Sequence, residues 1–341
     1  MAGRCRAWAL VPMGLLVGLL AGGAPSALAA ESAVVLLYHR FDDDRIPALN
    51  TTTEQLAAHL AEFKSGGHTV LPLAEVVEAM AQGRALPDKA VSLTVDEDSA
   101  TFVRRAWPLL RKAGVPVTLA VATDEVDRGG PDGLSWNQLR DLAQAGVAIA
   151  SQGAARLRMA KASPDAVAAD LAKARERFLQ ELGRVPEIFV WPWGEASADS
   201  MRLVRQAGYK VAFGQHSGAA WAKADPTYLP RFAATAAYGE PDRIRLALRA
   251  LPLPVTDITP ADPLVRANPP AFGFTLAEEI PGIDGLACFA SHQGQVRVER
   301  LGPRVEVRMS KPLPQGRVRL NCTVATLEGR WRWFGWQFVV P

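Results

Sequence analysis

The sequence predicts an α/β chain in two parts: a parallel-sheet (β/α) barrel over 30–250 and a small all-β, sandwich-like domain over 251–341. Two observations carry the first part. Short apolar runs alternate with amphipathic helical stretches up to about residue 250, and seven such units in about 220 residues suit an incomplete barrel better than a three-layer sandwich. The third observation is a change of style. After the proline-rich "ALPLPVTDITPADPLVRANPPAF" the chain shows only short alternating runs with turn residues, as in "GQVRVERLG", "RVEVRMS" and "GRVRLNCTV".

Taken in order, residues 1–29 read as a signal peptide. Arg4 and Arg6 form a basic start, Ala7 to Leu20 an apolar centre too short for a span, and Ala27-Leu28-Ala29 a cleavage site. Its removal lowers the net charge from +3 to +1, which offers no electrostatic case for nucleic acid, and leaves no stable membrane span. A periplasmic or secreted location follows.

Val34 to Tyr38 reads as the first strand, and Thr53 to Lys64 as a helix with Leu56, Leu60 and Phe63 on one face. A second helix spans Leu73 to Ala81, and Val91 to Val95 is the next strand. A helix through Trp107 to Lys112 stops at Gly114 before the strand Val117 to Ala122. Ser135 caps the helix in "LSWNQLRDLAQAG", which Gly146 ends ahead of Val147 to Ala150. Pro164 opens a long helix, Ile188 to Trp191 follows as a strand, and a further helix leads to Lys210 to Phe213.

Active sites of such barrels lie where the strands end. Reading past each strand collects His39, then Asp96-Glu97-Asp98, then "SQGAAR" with Gln152 and Arg156. "PWGE" follows Trp191, with Pro192, Trp193, Gly194 and Glu195, and "GQHSG" contains His216. Three consecutive acids repel one another and call for a cation nearby. The indoles of Trp191 and Trp193 among carboxylates and amides are what a sugar-binding groove contains. The two cysteines beyond the leader, Cys288 and Cys322, form an even pair in an exported chain and read as one structural disulfide. In "GRWRWFGWQF", aromatics on both faces read first as a strand buried twice, with a sugar platform as the alternative.

The pieces "LLYHRF", "ALPDKAVSLTVDED", "WPLLRKAGVP", "LSWNQLRDLAQAG", "FVWPWGE" and "YLPRF" resemble, in this order, the NodB-type polysaccharide deacetylases, in their exported branch with a YH first strand. The resemblance runs from about Val34 to Phe232. It implies an irregular (β/α) barrel that removes acetyl groups from glycans with zinc or another divalent metal.

The departures from the family pattern decide the functional expectation. The family's T-F-D-D-G reads Thr94-Val95-Asp96-Glu97-Asp98 here, so Asp96 keeps the general-base position and Glu97 the first metal position. The family's H-[ST]-x-x-H reads Gln152-Gly153-Ala154-Ala155-Arg156, without either imidazole, and Arg231 in "LPRF" stands nearest the late histidine that serves as general acid. A guanidinium has no lone pair for a metal, but it neutralises carboxylates. Arg156 is therefore the expected partner of Asp96 and Glu97, and no metal is expected; a rebuilt metal site from His39, His216 and Glu97 is the weaker alternative. The expectation is a glycan-binding homologue that has lost its catalyst, with a glycan or an envelope protein as partner. The alternatives are a deacetylase with an atypical site and a glycosidase using Asp96 and Glu195.

Overall fold

The computed structural model describes residues 1–3, 31–96 and 99–341. The expected leader over 1–29 and the acids Glu97 and Asp98 lie outside the described residues, Met1 to Gly3 apart. Among the described residues no helix is long and apolar enough to cross a membrane.

The barrel consists of β1 (Ser32–Tyr38), β2 (Ala90–Val95), β3 (Thr118–Val121), β4 (Ala148–Ser151), β5 (Ile188–Val190) and β6 (Val211–Phe213), hydrogen-bonded side by side in that order. All five pairings are parallel. The ring is closed by a stretch that the sequence reading passed over. Leu229 bridges Phe213 in parallel, and the two-residue β7 (Phe232–Ala233) pairs with Leu36 and Leu37 of β1. Every residue of β2 is buried, as expected of a strand covered on both sides.

Local signals place the helices. Thr52 and Ser135 close reciprocal capping boxes with Gln55 and Gln138 at the starts of α1 (Thr53–Ser65) and α4 (Trp136–Gln144). Between them lie α2 (Leu73–Ala81) and α3 (Trp107–Ala113); Gly114 ends α3 in the left-handed conformation. Ser163 caps α5 (Pro164–Leu182), whose buried stripe is Val167, Asp170, Leu171, Ala174 and Phe178, and α6 (Ala198–Gln206) follows β5.

The C-terminal part is one curled sheet of eight strands. They are β8 (Leu251–Pro252), β9 (Val255–Thr259), β10 (Phe272–Leu276), β11 (Ala287–Ala290), β12 (Gly294–Leu301), β13 (Arg304–Arg308), β14 (Gly316–Ala325) and β15 (Trp331–Val340). Their order is β8-β15-β14-β11-β12-β13-β10-β9, and curling brings β10 back onto β15, where Phe272 meets Phe338 at 5.1 Å. Cys288 and Cys322 are direct partners across β11 and β14 and are disulfide-bonded. The strand β15 is covered on both sides, as its aromatics suggested. Trp336 and Phe338 face the sandwich interior, while Trp333 packs edge-on against Phe232 of the barrel at 5.2 Å.

The sheet docks on the barrel through β15. A Cβ on Gly335 would lie 1.9 Å from the Ser217 carbonyl oxygen, so only glycine permits the approach. One apolar cluster runs through both parts, from Phe189, Trp191 and Tyr209 to Phe272, Val318 and Phe338.

Candidate functional site

Parallel pairing brings the ends of β1, β2, β4, β5 and β6 to one rim. The Asp96 amide donates to the Tyr38 carbonyl, the Gln152 amide to Val121, and the Trp191 amide to Phe213. Side chains then link these ends. Gln152 Nε2 donates to the Asp96 carbonyl oxygen (2.9 Å), and Trp193 Nε1 to that of Arg156 (3.3 Å).

The centre of the site is Asp96. Arg231 grips it with both arms of its guanidinium, Nη1 to Oδ1 at 2.5 Å and Nη2 to Oδ2 at 2.7 Å, and Gln215 Nε2 adds a contact at 3.3 Å. The remaining arginine donors go to the Gly214 carbonyl (2.8 Å) and Thr94 Oγ1 (2.9 Å). Arg231 and Asp96 side chains are 0% and 1% exposed. The cation expected beside Asp96 is thus Arg231, not Arg156. The reason is topological: the segment that closes the barrel delivers Arg231 into its interior, whereas Arg156 sits half-buried on the loop after β4.

That loop is held in place from α5. Asp170 of α5 accepts from the amides of Ala154 (2.9 Å) and Ala155 (2.8 Å), while Gly153 and Arg156 both adopt positive φ. Burial pushes the Asp170 carboxyl up, and the two amides oppose that shift. Asp170 was not singled out by sequence; an acid in the middle of an apolar helix stripe was the available signal.

The "PWGE" turn divides between core and surface. Trp191 is fully buried with Nε1 on the Thr227 carbonyl (2.8 Å), so it is a core residue and not a groove residue. Its place at the end of β5 turns it inward. Pro192 is buried beneath the turn. Trp193, at φ 61°, is turned outward and 39% exposed, with the Arg158 guanidinium 4.7 Å over its ring. Gly194 has φ 67°, and a Cβ there would lie 2.7 Å from Gln215 Cβ. Its carbonyl accepts from Tyr228 Oη (2.9 Å) and Gln337 Nε2 (2.7 Å). Glu195 is buried, with Oε1 on Arg158 at 2.5 Å and Oε2 without a hydrogen-bond partner.

The two histidines do not converge. His39 is half-buried beside Asp96; burial, together with Arg231, Arg156 and Arg317, pushes it down to about 4 against the pull of Asp96. His216 leaves the site altogether. Its ring lies 4.4 Å from Tyr228 and 6.4 Å from Trp336 at the join with the C-terminal sheet, where burial, then Arg319 and Arg231, push it down to about 3. Both rings are neutral at pH 7.

The described residues alone do not make a site for a divalent metal. Gln152 turns its amide nitrogen, not its oxygen, toward Asp96, the Asp96 oxygens are taken by Arg231, and His39, lowered first by burial, also faces the field of three arginines. Among the described residues no three His, Cys, Asp or Glu side chains cluster as ligands; Glu97 is not among them. Asp96 and Glu195, proposed as a carboxylate pair, are each occupied by a different arginine.

The C-terminal sheet also reaches the site, which sequence reasoning missed. Arg317 of β14 donates to the Trp193 carbonyl (3.1 Å) and to Gln215 Oε1 (3.5 Å), which completes a chain of polar contacts from Arg317 through Gln215 to Asp96.

Residues 83–212 match the family model described as "Polysaccharide deacetylase". Poly-beta-1,6-N-acetyl-D-glucosamine N-deacetylase of Escherichia coli (strain K12) is 23% identical over 230 residues, covering 55% of this chain and 34% of its own length. The chain thus spans about a third of that relative. The Staphylococcus aureus (strain MSSA476) protein of the same name is 21% identical over 229 residues, covering 59% of this chain and 78% of its own. Among solved structures, Streptococcus pyogenes deacetylase PplD in complex with acetate superposes with a TM-score of 0.59 at 20% identity, over 64% of this chain and 98% of that one. IcaB from Ammonifex degensii gives 0.57, also at 20% identity and with the same coverage. Over residues 83–212 this chain is thus similar to the polysaccharide deacetylases, and its barrel has the fold of the deacetylase PplD.

Proposed function

We propose that this chain is an exported, glycan-binding member of the family that does not deacetylate. The observation that carries the reading is the Asp96–Arg231 pair. A general base needs an oxygen that reaches the attacking water. Here both oxygens of the carboxylate at the base position are held by one guanidinium, in a side chain 1% exposed. The metal that polarises the carbonyl and activates water in active members supplies several kcal/mol of barrier lowering, and the family's ligand positions at Gln152 and Arg156 lack the donors to hold one. What the rim retains is a binding surface around the exposed Trp193. The disulfide and the leader-like residues 1–29 support export to the periplasm or beyond; an envelope protein is the second partner class.

The test combines three measurements on the purified protein: metal content after dialysis against a weak chelator, acetate release from N-acetylglucosamine oligomers, and calorimetric binding of the same oligomers. Binding without acetate release, with substoichiometric zinc, is the expected outcome. Metal-dependent acetate release would establish the other reading, a deacetylase with an atypical site.

A further inference from the structure

Trp193 is the exposed part of an otherwise buried site, and guanidinium groups from both parts of the chain bracket it. Arg158 lies over the ring with its side chain 49% exposed, and Arg317 holds the Trp193 carbonyl from the opposite domain. Arg319, two residues along β14, points to the same side of that strand as Arg317. These cations sense one another. Partial burial, then Arg319, lowers the Arg317 guanidinium; Arg158 adds to this, and Glu195 opposes it.

Among the described residues opposite charge is scarce here. Glu195 is the one acid among the described residues that acts on Arg317, and Arg158 already holds its Oε1. Arg317 bonds only to neutral oxygens, and neither Arg317 nor Arg319 forms an ion pair among the described residues. Like charges held together by the fold raise its energy, and a bound anion relieves it. A guanidinium fork also matches the two oxygens of a carboxylate or sulfate.

We propose that this surface binds an anionic glycan, with the exposed part of the Trp193 ring against a sugar face and Arg317, seconded by Arg319, on its carboxylate or sulfate group. The proposal rests on the glycan-binding reading and narrows it to a ligand class. It also gives the C-terminal sheet a part in recognition, since β14 supplies both arginines.

Calorimetry on the full protein tests this with three oligosaccharides of equal length: oligogalacturonate, a sulfated heparin-type fragment and neutral chitooligosaccharide. In low salt an anionic ligand is expected to bind about tenfold tighter than the neutral one, the size of one charge-assisted contact, and to weaken as salt rises. The better of the two anions identifies the group. Arg317→Gln should abolish the preference and Arg319→Gln reduce it, whereas Arg317→Lys, which keeps the charge, should retain most of it. Thermal melts of each variant separate loss of binding from loss of fold. Equal affinity for neutral and anionic ligands, or a preference that survives both glutamine variants, overturns the proposal and leaves glycan binding standing. No binding to any of the three overturns both.

Discussion

Replacing Arg231 with methionine leaves the Asp96 carboxylate buried and without its partner. The native arrangement supplies two charge-assisted bonds to Asp96 and further bonds to Thr94 and Gly214, with both side chains at most 1% exposed. Breaking one side of such a pair costs about 3–5 kcal/mol. Unfolding entropy near 2.1 cal/mol/K per residue gives about 0.65 kcal/mol/K for a folded chain of roughly 310 residues, so Tm should fall by about 5–8 °C. Asp96→Leu alone should cost a similar amount, because it strands the arginine. The double variant Arg231→Met with Asp96→Leu should recover much of the loss, since a matched apolar pair replaces the ions without an orphan. Urea unfolding of the four proteins measures the coupling. Strict additivity, or a single-variant shift below about 2 °C, would refute the claim that this pair organises the rim.

Acid should destabilise the protein through its buried histidines. The folded-state values of His216, about 3, and His39, about 4, lie below the unfolded value near 6.5. Stability is therefore level above pH 6.5 and is lost as pH falls below it, toward 4 for His39 and 3 for His216. His216 alone contributes a slope of about 1.4 kcal/mol per pH unit; His216→Phe should remove that slope between pH 6 and 5, and an unchanged urea-midpoint profile would count against it. Gly194→Ala places a methyl at φ 67° and 2.7 Å from Gln215 Cβ. Strain and overpacking together predict a loss of about 2–4 kcal/mol by chemical unfolding, and a loss under about 1 kcal/mol would show that the turn yields. Peptide mapping without reductant should recover Cys288 linked to Cys322; reducing that bond, which spans a sequence separation of 34, should cost roughly 4 kcal/mol in the chain-entropy model. A Tm unmoved by reduction would contradict that figure.

Most of the barrel was legible because its signals are local. Ser135 with Gln138, Ser163 with Pro164, and Gly114 after a basic turn mark helix ends through bonds within a few residues. The disulfide was legible by counting, since the two cysteines after residue 30 permit one pairing. The site was half legible. Asp96 and Gln152 fall at strand ends, and period and register place them on one rim. Which guanidinium would meet Asp96 was not readable, because Arg231 lies 135 residues away on a stretch too short to show a strand period. Trp191 and Trp193 look alike in sequence; a positive φ at Trp193, invisible in the letters, sends one outward and the other into the core. Arg317 belongs to a different part of the chain, and only the docking of β15 on Ser217 brings its neighbour strand to the rim.

The Gly335–Ser217 contact has a further consequence for how the chain can be handled and how it evolves. With a backbone-to-backbone seam and an apolar cluster that runs through both parts, the C-terminal sheet is not a detachable module. Cutting near residue 250 would expose Trp191's surroundings and Tyr228 on one fragment and the faces of Trp333 and Trp336 on the other, two sticky halves in place of two domains. Melting should accordingly proceed in a single step. A substitution that loosens the seam should disturb Trp193 as surely as one made beside it, since Gln337 and Arg317 hold that turn from the far side.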